Sequence, residues 1–143
     1  MAQASLAVIT VTYSPGRYLR TFLDSIPAAT NQPVHVVMAD NGSTDEAPEA
    51  AVRDYAGTSG LTVSLLGMGS NLGYGSAINR AFTYLEDNCP DVRTDYILIS
   101  NPDVEFSPGS IDALLAAAER WEKAGSLGPV SYTHLTLPTS DLE

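Results

Sequence analysis

Basic residues are scarce in this chain: seven lysines and arginines stand against 17 aspartates and glutamates, a net charge of −10 over 143 residues. That balance excludes a nucleic-acid backbone as partner, because a polyanion calls for a basic face. It also sets a condition on any diphosphate ligand, which would need a cation to supply positive charge. Cysteine is nearly absent too. Cys89 is the only one, so no internal disulfide can form, and a reducing compartment is expected. No apolar run approaches the roughly 20 residues that span a bilayer. Met1 to Leu6 lack the basic and apolar regions of a secretory leader. A cytoplasmic protein is the expectation. There is no internal repeat and no low-complexity linker. What is present is 44% hydrophobic residues, enough for one domain with a core of its own.

Ala7 to Tyr13 (AVITVTY) is β-branched and apolar and predicts a first strand, broken by Ser14-Pro15-Gly16. Leu19, Phe22, Leu23 and Ile26 recur at helical spacing, giving a helix that ends near Pro27. Val34 to Ala39 predicts a second strand. Ala47, Ala51, Val52 and Tyr55 predict a second helix, with Pro48 tolerated in its first turn. Leu61 to Leu66 reads as a third strand, and a glycine-rich loop from Gly67 to Gly73 follows it. The third helix carries the apolar stripe Tyr74, Ala77, Ile78, Ala81, Phe82 and Leu85. Tyr96 to Ile99 reads as a strand buried on both faces. It stops at Asn101-Pro102-Asp103, since Pro102 cannot donate to a ladder and pushes Asn101 towards extended geometry. Ser107 as N-cap, Pro108 at the first helical position and Ile111, Leu114, Leu115 and Ala118 predict a fourth helix. Strand and helix thus alternate four times, which predicts an α/β fold with a parallel sheet and right-handed crossovers. Val130 to Glu143 (VSYTHLTLPTSDLE) breaks the rhythm. It reads as a non-native tail or, alternatively, as an edge strand from Tyr132 to Leu137. Residues 1–129 are therefore expected to form the domain, incomplete at its C-terminus.

Four polar features fall at the carboxyl ends of the four predicted strands, where open α/β sheets bind ligands. They are Thr12-Tyr13, Asp40 to Asp45, Asn71-Leu72-Gly73 with Asn79, and Asn101-Pro102-Asp103. Each alone has a plain structural reading. Asn41-Gly42 can be a tight turn, Asp45 a helix cap, Asn79 a solvated helix residue, and Asn-Pro-Asp merely a turn. In this order, however, VTYSPG at 11–16, ADNGSTD at 39–45, NLGYGSAINRA at 71–81 and SNPDVEF at 100–106 resemble the N-terminal, nucleotide-sugar-binding half of a family 2 glycosyltransferase with the GT-A fold. With PGSIDALL at 108–115, the pattern is most similar to the rhamnosyltransferases of cell-wall assembly.

The resemblance implies a Rossmann-like, mostly parallel sheet flanked by helices. It implies an inverting transfer of a sugar, rhamnose from dTDP-rhamnose, to a polyprenyl-diphosphate-linked sugar acceptor, at the inner face of the cell membrane. Mg²⁺ or Mn²⁺ is the implied cofactor. By the same resemblance Asp40 accepts from the ring N–H of uracil or thymine, with Thr12 and Tyr13 against the base. Asn71, Gly73 and Asn79 border the nucleotide. Asp103 is the metal-binding aspartate, and Asn101 stands where that motif has its first acid, so a single carboxylate is left. Mg²⁺ often takes one or two carboxylates plus substrate phosphates. The general base is implied in the C-terminal part, and no candidate for it precedes Pro129.

Two rivals come from other classes. Gly67, Gly69 and Gly73 open a helix after a strand, superficially like an NAD(P)-binding fingerprint. The third glycine is one residue late, and no acidic residue ends a strand about 20 residues on. The other rival is a nucleotide-binding fragment that does not turn over.

Overall fold

The computed structural model describes residues 5–120. The elements run β1 (Ser5–Thr12), α1 (Tyr18–Ala29), β2 (Val34–Asp40), α2 (Ala47–Tyr55), β3 (Leu61–Gly67), α3 (Tyr74–Asn88), β4 (Val92–Ile99) and α4 (Ser110–Arg120). The strands form one parallel sheet in the order β3-β2-β1-β4. The chain therefore steps outward from β1 to β2 to β3 and then jumps back past both to β4. Right-handed crossovers demand that the helix of the return step lie on the opposite face. That is what the packing shows. Leu6 and Val8 of β1 and Val34, Val36 and Met38 of β2 bury against α1, α2 and α4. The alternate residues Ala7, Ile9, Val37 and Ala39 bury against Ala77, Ala81 and Leu85 of α3. The period-two alternation of strands thus supplies two cores from one run of apolar residues.

The reversal places a topological switch point between β1 and β4, the crevice where ligands bind in such sheets. The register sharpens it. Thr12, Asp40 and Gly67 stand side by side at the ends of three strands. β4 stops earlier, with Ile99 opposite Ile9, so the residues after it rise beside the tip of β1.

Several element boundaries differ from expectation. α1 runs through Pro27 to Ala29, because a proline in the last turn removes one hydrogen bond while Ala29 gains full burial. β4 begins at Val92, four residues before Tyr96. It is not buried on both faces at its tip: Ile99 is 47% exposed, since β4 is an edge strand among the described residues. The stripe of α3 is narrower than its sequence, with Tyr74 and Phe82 facing outward. α4 starts at Ser110, so Ser107 and Pro108 precede the helix. Ser110 N–H closes a turn on the Ser107 carbonyl at 3.0 Å, and Gly109, at φ 75°, donates its N–H to the Ala28 carbonyl of α1 at 3.0 Å. That left-handed residue interrupts any helix begun at Pro108. Val130 to Glu143, read as a tail or an edge strand, lies outside the described residues.

Candidate functional site

The centre of the carboxyl edge is Asp40, at the tip of β2. Its Oδ1 accepts a hydrogen bond from the buried Thr12 hydroxyl at 2.7 Å and another from the Ser43 hydroxyl. Its Oδ2 accepts from the Ser43 N–H at 3.0 Å. Burial pushes this carboxyl up, but the hydroxyls of Ser43 and Thr12 and the backbone N–H groups of Ser43 and Gly42 outweigh it. The group is held below its ordinary value of 3.8. A carboxylate offers about four acceptor positions, so these donors come close to filling it. The three hydrogen bonds leave about one acceptor position on Asp40 for a further donor.

The same loop is clasped to the turn after β1. Ser14, at φ 49°, donates its N–H to the Ser43 hydroxyl at 2.7 Å. Its own Oγ accepts from the Thr44 N–H at 2.9 Å. Asp45 accepts from the Gly16 N–H at 2.9 Å and from the Ala47 N–H at 3.2 Å, so it joins the two loops while closing a local Asx turn at the start of α2. These bonds leave Tyr13 turned outward, the residue 61% exposed beside Thr12. An exposed aromatic face next to a rigid polar floor can stack a flat ring.

The third wall is the loop before α3. Asn71 Oδ1 accepts from the Gly73 N–H at 2.9 Å. Gly73 is the N-cap of α3 at φ 88° and ψ 167°, a conformation open to glycine. No side chain caps that helix end, so its first N–H groups are available to an anion. Asn79 lies further along α3, on its exposed surface. The structure thus joins Gly73, with Asn71 bonded to it, to the residue after the tip of β2, while Asn79 stands on the helix that follows.

The fourth wall follows β4. Asn101, Asp103 and Glu105 are exposed, whereas Val104 and Phe106 turn inward to the α1 core. Phe106 meets Phe22 at 5.9 Å between ring centroids, and its N–H donates to the Ser25 hydroxyl at 2.9 Å. Two apolar anchors therefore hold up a short segment whose acids face solvent. A cavity of about 640 Å³ opens here, lined among others by Tyr74, Ile99, Asn101, Glu105, Phe106 and Leu114. Asp103 stands in the same segment. Among the described residues no three His, Cys, Asp or Glu side chains gather as a metal site. One exposed carboxylate with an amide neighbour suits a cation that brings its own phosphate ligands, rather than a resident ion.

Placed on this frame, the glycine-rich loop argues against a dinucleotide fold. The phosphate-binding turn of such folds follows a strand at the switch point. Gly67 to Gly73 follows β3, at the sheet's far edge.

The sequence model of glycosyl transferase family 2 matches residues 7–134. The chain belongs to that family. The match takes in all four strand tips. Within it, the chain is 50% identical over 129 residues to the N-acetylglucosaminyl-diphospho-decaprenol L-rhamnosyltransferase of two Mycobacterium tuberculosis strains. That alignment covers 87% of this chain and 40% of the relative, so the chain spans less than half the length of the curated proteins it matches. Among solved structures, S. aureus TarS 1-349 in complex with UDP-GlcNAc superposes with a TM-score of 0.70 at 19% identity, over 94% of this chain and 37% of that one. The mannosyltransferase PcManGT from Pyrobaculum calidifontis, in complex with GDP-Man and Mn²⁺, gives 0.67 at 23% identity, over 93% and 36%. These likenesses establish a GT-A fold for this family 2 chain. Among the described residues no helix is long and apolar enough to cross a membrane.

Asn41 is the residue that motif reading passed over. As Asn-Gly it reads as turn chemistry, yet its side chain is 4% exposed and bonded to the loop before α3. The clue available in the sequence was its place inside the strand-tip motif at 39–45, next to Asp40.

Proposed function

We propose that this chain is the donor-binding part of an inverting glycosyltransferase, moving rhamnose from dTDP-rhamnose to a polyprenyl-diphosphate-linked sugar. The observation that carries the reading is the gathering of four motif segments at one edge of one sheet, in a chain 50% identical to a rhamnosyltransferase. Thr12 and Tyr13 give the base a floor and a stacking face. Asp40 accepts from the ring N–H of the base, its other acceptor positions holding Thr12 and Ser43 in place. Asn71, Gly73 and Asn79, with the uncapped start of α3, border the nucleotide, and Asn101 stands beside Asp103 at the nucleotide-sugar site. Asp103 holds a divalent cation, Mg²⁺ or Mn²⁺, jointly with the diphosphate. When bound, such a cation supplies charge neutralisation and orientation for the leaving group. It also offsets the repulsion between an anionic donor and a chain of net charge −10. The attacking hydroxyl must lose a proton to a carboxylate within hydrogen-bond reach. We place that base and the acceptor site in a C-terminal continuation, the alignment covering 40% of the relative, and the acceptor's lipid would bring the whole protein to a membrane surface.

The test compares two proteins with dTDP-rhamnose and a polyprenyl-diphospho-N-acetylglucosamine acceptor. One is the 143-residue chain, and the other carries a relative's C-terminal continuation after Pro129. Positioning and acid–base assistance are each worth several orders of magnitude, so product is expected from the longer protein and essentially none from the shorter. Robust turnover by the shorter chain would overturn this division of labour.

A further inference from the structure

Asn41 is more deeply buried than Asp40 beside it, at 4% against 9% exposure. Its backbone N–H is fixed to the Thr12 carbonyl at 2.9 Å, which leaves the side chain little freedom of direction. That side chain points to the β3–α3 loop. Its Oδ1 accepts from the Leu72 N–H and its Nδ2 donates to the Gly73 carbonyl, both at 3.3 Å. One amide therefore grips a single stretch of backbone through a donor and an acceptor together. The start of the loop is held separately, by the Met68 N–H on the Asp40 carbonyl at 2.9 Å and by Met68 packed on the core, but beyond Met68 it has little else to hold it. Ser70, Asn71, Gly73, Tyr74, Gly75 and Ser76 are all exposed, and the Asn71 to Gly73 bond is internal to the loop. Gly42, next in sequence, lies at φ 96°, so its backbone conformation favours glycine, and a Cβ there would meet Ser70 Cα at an ordinary contact distance of 3.7 Å.

We propose that Asn41 is a positioning residue of the donor site, fastening residues 72–73 and the first turn of α3 to the tips of β1 and β2 before any nucleotide arrives. This rests on the reading of 71–73 as a wall of the nucleotide site. A preformed wall spares the ligand the cost of ordering it. When the competent arrangement is only partly populated, the apparent Kd rises by the inverse of its fraction. A loop released to about one-tenth occupancy raises the Kd about tenfold. Asp40 and Asn41 would then divide the work. The carboxylate ties β2 to the β1 turn, and the amide ties it to α3.

The experiment uses the full 143-residue chain, wild type and Asn41→Ala, with two readouts. Without ligand, amide hydrogen exchange at Leu72 and Gly73 is expected to quicken about tenfold in the variant, with core amides such as Ile9 and Val37 unchanged, as local opening requires. In titrations with dTDP and Mg²⁺, the Kd is expected to rise by a similar factor. Asn41→Asp keeps the acceptor for Leu72 and loses the donor to Gly73. It should give a smaller rise in both readouts, and it decides the matter if the alanine variant fails to fold. Unchanged exchange at Leu72 and Gly73, with wild-type binding intact, overturns the clamp alone. Faster exchange throughout the chain overturns it as well, because Asn41 would then support the fold rather than the loop. A wild-type chain that binds no nucleotide overturns the donor reading itself.

Discussion

At the scale of single residues, Asp40 shows how one side chain can organise the loops around a strand tip. Burial works against its charge, and four neighbouring donors more than compensate, so its carboxyl titrates below the ordinary value of 3.8. The sign of the linkage follows. A depressed pKa in the folded state contributes stability above the unfolded value, and that contribution is lost as pH falls through the folded one. Asp40→Asn is expected to cost on the order of 1–3 kcal/mol at neutral pH, by leaving buried donors imperfectly paired. It should also flatten the fall in stability below about pH 4. Urea unfolding across pH 2–7 reads both effects, and superimposable curves for variant and wild type would contradict the assignment. The sequence marked Asp40 as a site residue through its motif, but the state of its oxygens was not legible there. Its partner Thr12 lies 28 positions away, and only the parallel register sets the two side by side. Asn41 was hidden for the same reason, its partners being 31 and 32 positions on.

At the scale of elements, the segment after β4 matters most, because it carries Asp103. It behaves as a strand end that has left the ladder yet kept its alternation, with Val104 and Phe106 inward and the acids outward. Phe106→Ala would empty the contact with Phe22 and slacken the support of Asp103. A buried Phe→Ala typically costs about 3–5 kcal/mol, and Phe106 is partly buried, so a loss of about 2–3 kcal/mol is expected. Binding of dTDP with Mg²⁺ should weaken alongside it. Urea denaturation and calorimetric titration measure the two, and a stability loss with unaltered binding would show that the anchor does not serve the site. Periodicity made all four strands and four helices legible, since each buries a face at its own spacing. Boundaries were less legible, because distant contacts set them. α4 waits for Gly109, whose N–H is held by α1. The exposure of Ile99 and Tyr74 depends on which strand forms the edge, and apolar residue counts carry no such information.

At the scale of the whole molecule, the order β3-β2-β1-β4 turns a sequence of separate motifs into one crevice. The family assignment and the GT-A likeness agree with that layout. The charge of −10 makes cation dependence the account's most exposed claim. The decisive measurement is a thermal-shift series on the 143-residue chain with dTDP, UDP, GDP and NAD, each with and without Mg²⁺ or Mn²⁺, repeated for Asp103→Asn. A ligand at 100 times its Kd stabilises the native state by about 2.7 kcal/mol, well within detection. The account predicts stabilisation by the pyrimidine diphosphates when metal is present, with the metal-dependent part lost in Asp103→Asn while the variant stays folded. Stabilisation by NAD without metal, or full metal-dependent binding by Asp103→Asn, would contradict it.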